Sequence, residues 1–170
     1  GEMQDGGANL GELIPDRIEM ISTFGFIKGW VTPDGASVLA NSSDETARTP
    51  ANFPPRSVIV HPSPKRKVLV AWRSPMETTV RISASVQDSH PGCGNGVVWS
   101  LELRRGKTKQ ILWSGGTRGD ALETFSGPSE FRVRRGDGLV LAVGPRDGDH
   151  SCDSTDIHFT IESADQRWSV

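Results

Sequence analysis

Apolar and polar residues alternate with a period of two along most of this chain, and this pattern constrains the fold more than any other feature. In TTVRISASVQD (78–88), one face carries Val80, Ile82, Ala84 and Val86. Such alternation is typical of a β-strand with one buried face. The segment is therefore predicted to be a strand whose other face is in contact with water.

VVWSLELRR (97–105) has the same pattern. It predicts a strand with Val97, Trp99, Leu101 and Leu103 pointing inward. The intervening side chains are predicted to face water: Ser100, Glu102 and Arg104. Further strands are predicted at 57–62, 67–72, 109–115, 157–162 and, as a pair about a turn at 135–138, within 130–145.

Seven or eight short strands therefore fall between residues 57 and 162, each bounded by Gly, Pro, Asp or Ser. The sequence has no capped amphipathic helix of ten residues. We predict an all-β fold, an antiparallel β-sandwich of jelly-roll type over residues 57–165. Residues 1–12 are predicted to be a flexible lead-in, and residues 13–56 an N-terminal arm packed on the sandwich.

The overall charge and hydropathy argue against two classes of partner. The formal net charge of -2 does not attract nucleic acid or an anionic membrane surface. No apolar run approaches the roughly 20 residues that a membrane-spanning helix needs. We therefore expect neither nucleic-acid binding nor membrane insertion.

Two polar loops resemble each other: HPGCGNG (90–96) and DGDHSCDSTD (147–156). Each contains a histidine and a cysteine and leads into a strand. If both loops lie at one end of the sandwich, Cys93 and Cys152 reach the ~5.5 Å Cα separation of a disulfide. The bridge is favoured over two unreactive thiols and over a zinc site that also uses His90 and His150, because the spacing of these four residues is not that of known zinc motifs.

Oxygen-bearing side chains in the same loops suggest a calcium site. The predicted ligands are Asp88, Asp153 and Asp156, since Ca²⁺ prefers carboxylate, amide and carbonyl oxygens. The alternative is a solvated turn in which Asp side chains cap backbone amides. The predicted ligand-binding residues for a glycan are Asn95 in the first loop and two tryptophans near turns, Trp113 and Trp30, whose rings could stack on a sugar.

No catalytic pattern is present. The nucleophile elbow Gly-x-Ser-x-Gly is missing, and the carboxylates lie in turns or on strand faces instead of a predicted cleft. We therefore expect that the protein is not an enzyme.

Four runs carry a resemblance to a known group: VHPSPKRKVLVAWRSP, VQDSHPGCGNGVVWSLELRRG, RVRRGDGLVLAVGP and DGDHSCDSTDIHFTIE. They resemble the jelly-roll, carbohydrate-binding-module-like domains of large exported planctomycete-type proteins, often found beside cytochrome-c-like domains. In that group a strand ending in Asp precedes a glycine-rich loop and a Gly-Val-x-Trp strand, and a Gly-Asp hairpin and an Asp-Ser/Thr-Thr loop follow. The matching positions are Asp88, 96–99, 136–137 and 153–155.

This resemblance implies a non-catalytic carbohydrate-binding-like module within a larger exported protein, in a periplasmic or extracellular setting. The expected partners are a glycan and the neighbouring domains of the longer chain. A second hypothesis is a structural or protein-interaction β-sandwich that organises those neighbours and has no glycan affinity.

Overall fold

The computed structural model describes residues 17–18, 24–90 and 92–170. These residues form strands joined by turns, and no helix occurs among them. The strands are β1 (Arg17–Ile18), β2 (Ile27–Val31), β3 (Ser37–Asn41), β4 (Ala47–Thr49), β5 (Ala51–Phe53), β6 (Val58–His61), β7 (Val68–Arg73), β8 (Thr78–Asp88), β9 (Val97–Arg105), β10 (Thr108–Gly116), β11 (Leu122–Thr124), β12 (Phe131–Val133), β13 (Gly138–Pro145), β14 (Thr155–Glu162) and β15 (Arg167–Ser169). The all-β prediction is confirmed. The predicted lead-in, 1–12, lies outside the described residues.

Two antiparallel sheets pack face to face. The large sheet has the order β1-β2-β3-β6-β14-β8-β11, with β12 also paired to β8 and β15 to β14. The small sheet has the order β10-β9-β13-β7, and β4 and β5 form a separate pair. The predicted β-sandwich is confirmed, and its jelly-roll type stays a prediction.

The space between the sheets is filled by the alternating faces that the sequence indicates. From β8 come Val80, Ile82, Ala84 and Val86, and from β14 come Ile157, Phe159 and Ile161. The small sheet contributes Val97, Trp99, Leu101, Leu139, Leu141 and Val143. Trp99 is only 2% exposed, as predicted for a core residue.

The outer face of β9 differs from the prediction. Glu102 and Arg104 are 3% and 7% exposed, whereas alternation placed both in water. Their side chains form an ion pair, with Arg104 Nη2 2.6 Å from Glu102 Oε2. Glu102 lies opposite Val140, which is fully buried. The prediction was wrong because alternation identifies which residues share a face but not whether that face is covered.

The stretch predicted as an N-terminal arm contributes strands to the large sheet itself. β3 is hydrogen-bonded to β6, with Leu39 opposite Ile59, and β2 continues the sheet beyond β3. A second apolar cluster covers the outer face here. It consists of Ile27, Leu39, Ala47, Ala51, Phe53 and Ile59.

The turn around 135–138 connects the two sheets. β12 pairs with β8, whereas β13 pairs with β7 and β9, so the two strands do not form the Gly-Asp hairpin that the resemblance implied. Asp137 anchors this turn, because its carboxylate accepts hydrogen bonds from the Arg105 guanidinium at 2.6 Å and from the Arg134 backbone N–H at 2.8 Å.

Candidate functional site

The described residues of loops 62–67, 89–96 (89–90 and 92–96), 117–121 and 146–154 lie at one end of the sandwich, which we call the loop end. Strand register places them together. Thr155 pairs with Asp88 and with Val60, and Val97 pairs with Pro145. The ends of antiparallel neighbours meet in this way, so the two similar loops in the sequence are neighbours in space.

The disulfide between Cys93 and Cys152 is present, which confirms the prediction. The two Cα atoms are 5.8 Å apart, and 59 residues separate the cysteines along the chain. Disulfides of this kind are typical of oxidising compartments. Because both sulfurs are bonded to each other, the less favoured alternative of a four-ligand zinc site is not formed. His150 instead contacts His61, with ring centroids 6.0 Å apart.

The bridge holds the two loops in close backbone contact. Gly94 has φ +80°, and a Cβ at this position would collide with the carbonyl oxygen of Ser151. Cys152 itself has φ +63°. The Ser89 N–H donates to the Ser154 carbonyl at 2.8 Å. The first loop therefore needs glycine at the point where its backbone lies against the backbone of the second loop.

We expect Gly94→Ala to lower the free energy of unfolding by about 1–3 kcal/mol, because an alanine is strained at positive φ and has no space for its methyl group. Gly92→Ala in the same loop is the matched control, since no described atom other than those of Gly92 and its two chain neighbours lies within 4 Å of the Cβ position. Urea denaturation of both variants measures the difference. Equal stability of the two variants would show that the loops are not packed as described.

Side-chain hydrogen bonds connect a third loop to this pair. Asn95 Nδ2 donates to the Arg146 carbonyl at 3.0 Å. The Arg146 guanidinium in turn donates to the carbonyls of Thr117 at 2.8 Å and Val97 at 3.3 Å. The side-chain nitrogen of Asn95 thus joins its own loop to the loop that contains Arg146. Its Oδ1 is buried and accepts no hydrogen bond from the described residues.

Asp153 is the most unusual residue of the loop end. It is 2% exposed, and neither carboxylate oxygen has a hydrogen-bond partner among the described residues. Burial, together with the nearby Asp149 and Asp88 carboxylates, raises the pKa of Asp153 to about 7, against a smaller opposing effect of Arg146. A buried carboxylate without partners is unfavourable unless a proton or a cation neutralises it.

Asp88 is one of the two carboxylates that lie near Asp153. It is 8% exposed, and its Oδ1 accepts a hydrogen bond from the His90 backbone N–H at 2.7 Å. Burial raises the pKa of Asp88 as well, although the His90 hydrogen bond opposes this.

Asp156 does not join these two residues. It follows Thr155 on β14, and Thr155 shares its face with Asp88, so the Asp156 side chain points to the opposite face, beside Ile59. The Nε2 atom of His158 is 4.0 Å from Asp156 Oδ2. In the described part of the chain, Asp88, Asp153 and Asp156 do not form a group with oxygens within 4.8 Å of one another.

A polar cleft of about 370 Å³ opens at the loop end. Its lining residues are Asp88, Cys93, Gly94, Asn95, Gly96, Arg118, Gly119, Arg146 and Asp147. Arg118 and Arg146 were not singled out from the sequence. Each of these arginines lies between a strand and a turn and belongs to no recognisable sequence motif. They line the cleft because three loops meet at this end of the sandwich.

The two predicted sugar-stacking tryptophans lie elsewhere. Trp113 is in the middle of β10, half-buried against the central core, with its ring edge-on to Phe125 at 6.1 Å. Trp30 is on β2 opposite Val38 and is 44% exposed. Neither lines the polar cleft.

A second cleft, of about 570 Å³, lies on the outer face of the large sheet. Its lining is largely apolar and includes Val31, Leu39, Phe53 and Ile59, together with His61. This cleft and the polar cleft share no lining residue.

Within the described residues, no helix is long and apolar enough to cross a membrane. Comparison with protein-family models, with curated proteins and with solved structures finds no match to this chain.

Proposed function

We propose that this chain is a non-catalytic carbohydrate-binding-like module of a larger exported protein, and that the glycan binds in the polar cleft at the loop end. The observation that carries the proposal is the lining of this cleft, which combines carboxylates, an amide and arginine side chains around a disulfide-braced backbone.

The chemistry of the lining suits a sugar. Each hydroxyl of a glycan both donates and accepts hydrogen bonds, so its site needs donors and acceptors together. Arg118 supplies donors, and Asp147 and Asp88 supply acceptors. The volume of about 370 Å³ lies at the lower end of typical ligand sites and favours a short glycan or a chain end.

Rigidity of the lining supports the same function. The disulfide and the Asn95–Arg146 hydrogen bond fix the loops before a ligand arrives, which lowers the entropic cost of binding. The disulfide also favours an exported location, since such bonds persist in oxidising compartments.

Calcium is the proposed cofactor of the site. The donors are Asp153, whose two oxygens have no partner among the described residues, with Asp88 and the similarly unpartnered Asn95 Oδ1. These are the hard oxygen ligands that Ca²⁺ prefers, and glycines around them allow backbone carbonyls to contribute. The ion would neutralise the buried carboxylates and stiffen the loop end.

We expect Ca²⁺ at 100 times its dissociation constant to stabilise the chelator-treated protein by about 2.7 kcal/mol. Asp153→Asn is expected to abolish this gain, whereas Asp156→Asn, on the opposite face, is expected to retain it. Calorimetric titration and melting curves provide the measurements. Binding lost equally in both variants, or absent from the parent protein, would contradict the calcium site.

A glycan array probed with Ca²⁺ and with chelator tests the proposed function directly. We expect binding to a short glycan, weakened roughly tenfold or more by Arg118→Ala, since hydrogen bonds to charged groups contribute about 1.5–3 kcal/mol. Arg135→Ala is the control, because Arg135 is exposed in the turn at the opposite end of the sandwich. Silence across plant, algal and bacterial glycans would refute the proposal.

The second candidate function is a scaffold that contacts neighbouring domains, and the apolar cleft on the outer face favours it. Apolar surface of this kind is typical of interaction sites. Hydrogen exchange would compare the isolated domain with the longer parent chain. Protection of 31–61 only in the longer chain supports the scaffold, and unchanged exchange argues against it.

A further inference from the structure

Three potential metal ligands converge at the disulfide itself. The ligand atoms of His90, Cys93 and Cys152 all lie within 4.8 Å of one another. His90 Nδ1 is 4.0 Å from Cys93 Sγ. The four-residue zinc site considered from the sequence is therefore replaced by a three-residue group that excludes His150.

We propose that reduction of the Cys93–Cys152 disulfide converts this group into a zinc site with one nitrogen and two sulfur ligands. A dithiol transfers two electrons to the disulfide and becomes a disulfide itself, and the S–S bond of the protein is replaced by two thiols. Zn²⁺ then binds both sulfurs as thiolates, and the two thiol protons pass to solvent. A water molecule completes the tetrahedral shell.

The donor set suits zinc electrostatically and chemically. Thiolate sulfur and imidazole nitrogen are the ligands that Zn²⁺ prefers, and two thiolates with one neutral imidazole balance the charge of the ion. Calcium, by contrast, requires oxygen donors, so this site is chemically distinct from the one proposed at Asp153.

The backbone also suits the exchange of a disulfide for a metal. Two sulfurs bound to one zinc at about 2.3 Å each are separated by roughly 3.8 Å in a tetrahedral shell. This sulfur–sulfur distance exceeds that of a disulfide by roughly 2 Å. The two loops therefore need to move apart by less than this difference. In the disulfide-bonded protein the two Cα atoms are 5.8 Å apart, so the loops are already close to each other before the metal binds.

Contacts independent of the disulfide keep the ligands together after reduction. The Ser89 N–H donates to the Ser154 carbonyl at 2.8 Å, and Asn95 Nδ2 donates to the Arg146 carbonyl at 3.0 Å. The His90 backbone N–H donates to Asp88 Oδ1 at 2.7 Å, which anchors the residue that carries the imidazole. Cys93 is exposed, so a small thiol reductant can reach its sulfur.

Titration of the reduced protein with Zn²⁺ in competition with a zinc indicator tests the proposal. We expect one zinc per chain in reduced protein and none in oxidised protein or in Cys93→Ser/Cys152→Ser. Co²⁺ in place of zinc is expected to give thiolate charge-transfer absorption. His90→Ala is expected to weaken zinc binding by at least about tenfold. Removing a residue that only hydrogen-bonds to a metal ligand already lowers metal affinity by about 10–100-fold, and His90 is proposed to bind the metal directly.

His158→Ala is the matched control, since this exposed histidine of β14 lies outside the group. Equal zinc affinity of His90→Ala and His158→Ala would overturn the assignment of the third ligand. Tryptophan fluorescence recorded in parallel reports folding. If reduction unfolds the chain, zinc is expected to restore the native signal, and a failure to restore it would also overturn the proposal.

Discussion

Metal-free protein is expected to gain stability as the pH falls from 8 to 5, through the side chain of Asp153. The folded-state pKa of this carboxyl is raised to about 7 by burial and by the neighbouring carboxylates. An unfolded Asp titrates near 3.9. Between these values the folded state binds more protons than the unfolded state, so the stabilisation is fully present below about pH 4 and is lost as the pH rises through 7.

The expected size is about 2–3 kcal/mol between pH 8 and 5, from linkage with these two pKa values. Burial raises the pKa values of Asp88 and Asp156, so they contribute in the same direction. Burial lowers the pKa of His61, so this side chain contributes in the opposite direction. The contribution of Asp153 is therefore isolated as the difference between the parent protein and Asp153→Asn.

Urea denaturation in chelator at pH 5 and pH 8 measures this difference. Asp153→Asn is expected to be more stable than the parent at pH 8, because the variant removes a buried charge, and to lose most of the pH dependence. Asp120→Asn is the control at an exposed carboxylate. A parent protein and an Asp153→Asn variant with parallel pH profiles would show that Asp153 is neutralised in another way.

The second large effect is the loss of the disulfide. The Cys93→Ser/Cys152→Ser variant is expected to lose about 4 kcal/mol of unfolding free energy, because the bridge closes a loop of 59 residues in sequence separation. The physical reason is the greater conformational freedom of the unfolded chain when the loop is open. For a domain of this size the melting temperature should fall by roughly 8–16 °C.

Melting curves and urea denaturation of the double variant in chelator provide the measurement. Parent protein treated with a reductant in chelator is the control, and its stability is expected to match that of the double variant within about 1 kcal/mol. A loss below about 1 kcal/mol in both would contradict the assignment of this stabilisation to loop closure in the unfolded chain.

Periodicity alone predicted the central strands and their buried faces correctly. β8 and β14 point their alternating apolar residues into the core because successive side chains of a strand lie on opposite sides. The pairing of Cys93 with Cys152 also followed from the sequence, since two similar loops each lead into a strand of the sandwich. The strand faces depend on local geometry, which short stretches of sequence carry.

Reasoning from short stretches of sequence failed where the surrounding structure decides whether a side chain is buried or which face it lies on. Alternation cannot show whether the face of β9 with Glu102 and Arg104 is covered, and the tertiary structure buries both side chains as an ion pair. The calcium prediction grouped Asp156 with Asp153 because both carboxylates lie in the same polar stretch, but β14 begins between these residues and turns Asp156 to the opposite face.

The polar cleft depends wholly on tertiary structure. The sequence by itself determined an all-β chain with two cysteine loops, and it supplied Asp88, Asn95 and Asp153 as candidates. Only the packing of the sheets brings Arg118 and Arg146 to the same cleft and removes water from around Asp153. Desolvation and proximity are properties of residues distant in sequence, so the raised pKa and the unpartnered oxygens of this carboxylate arise only when the loops meet.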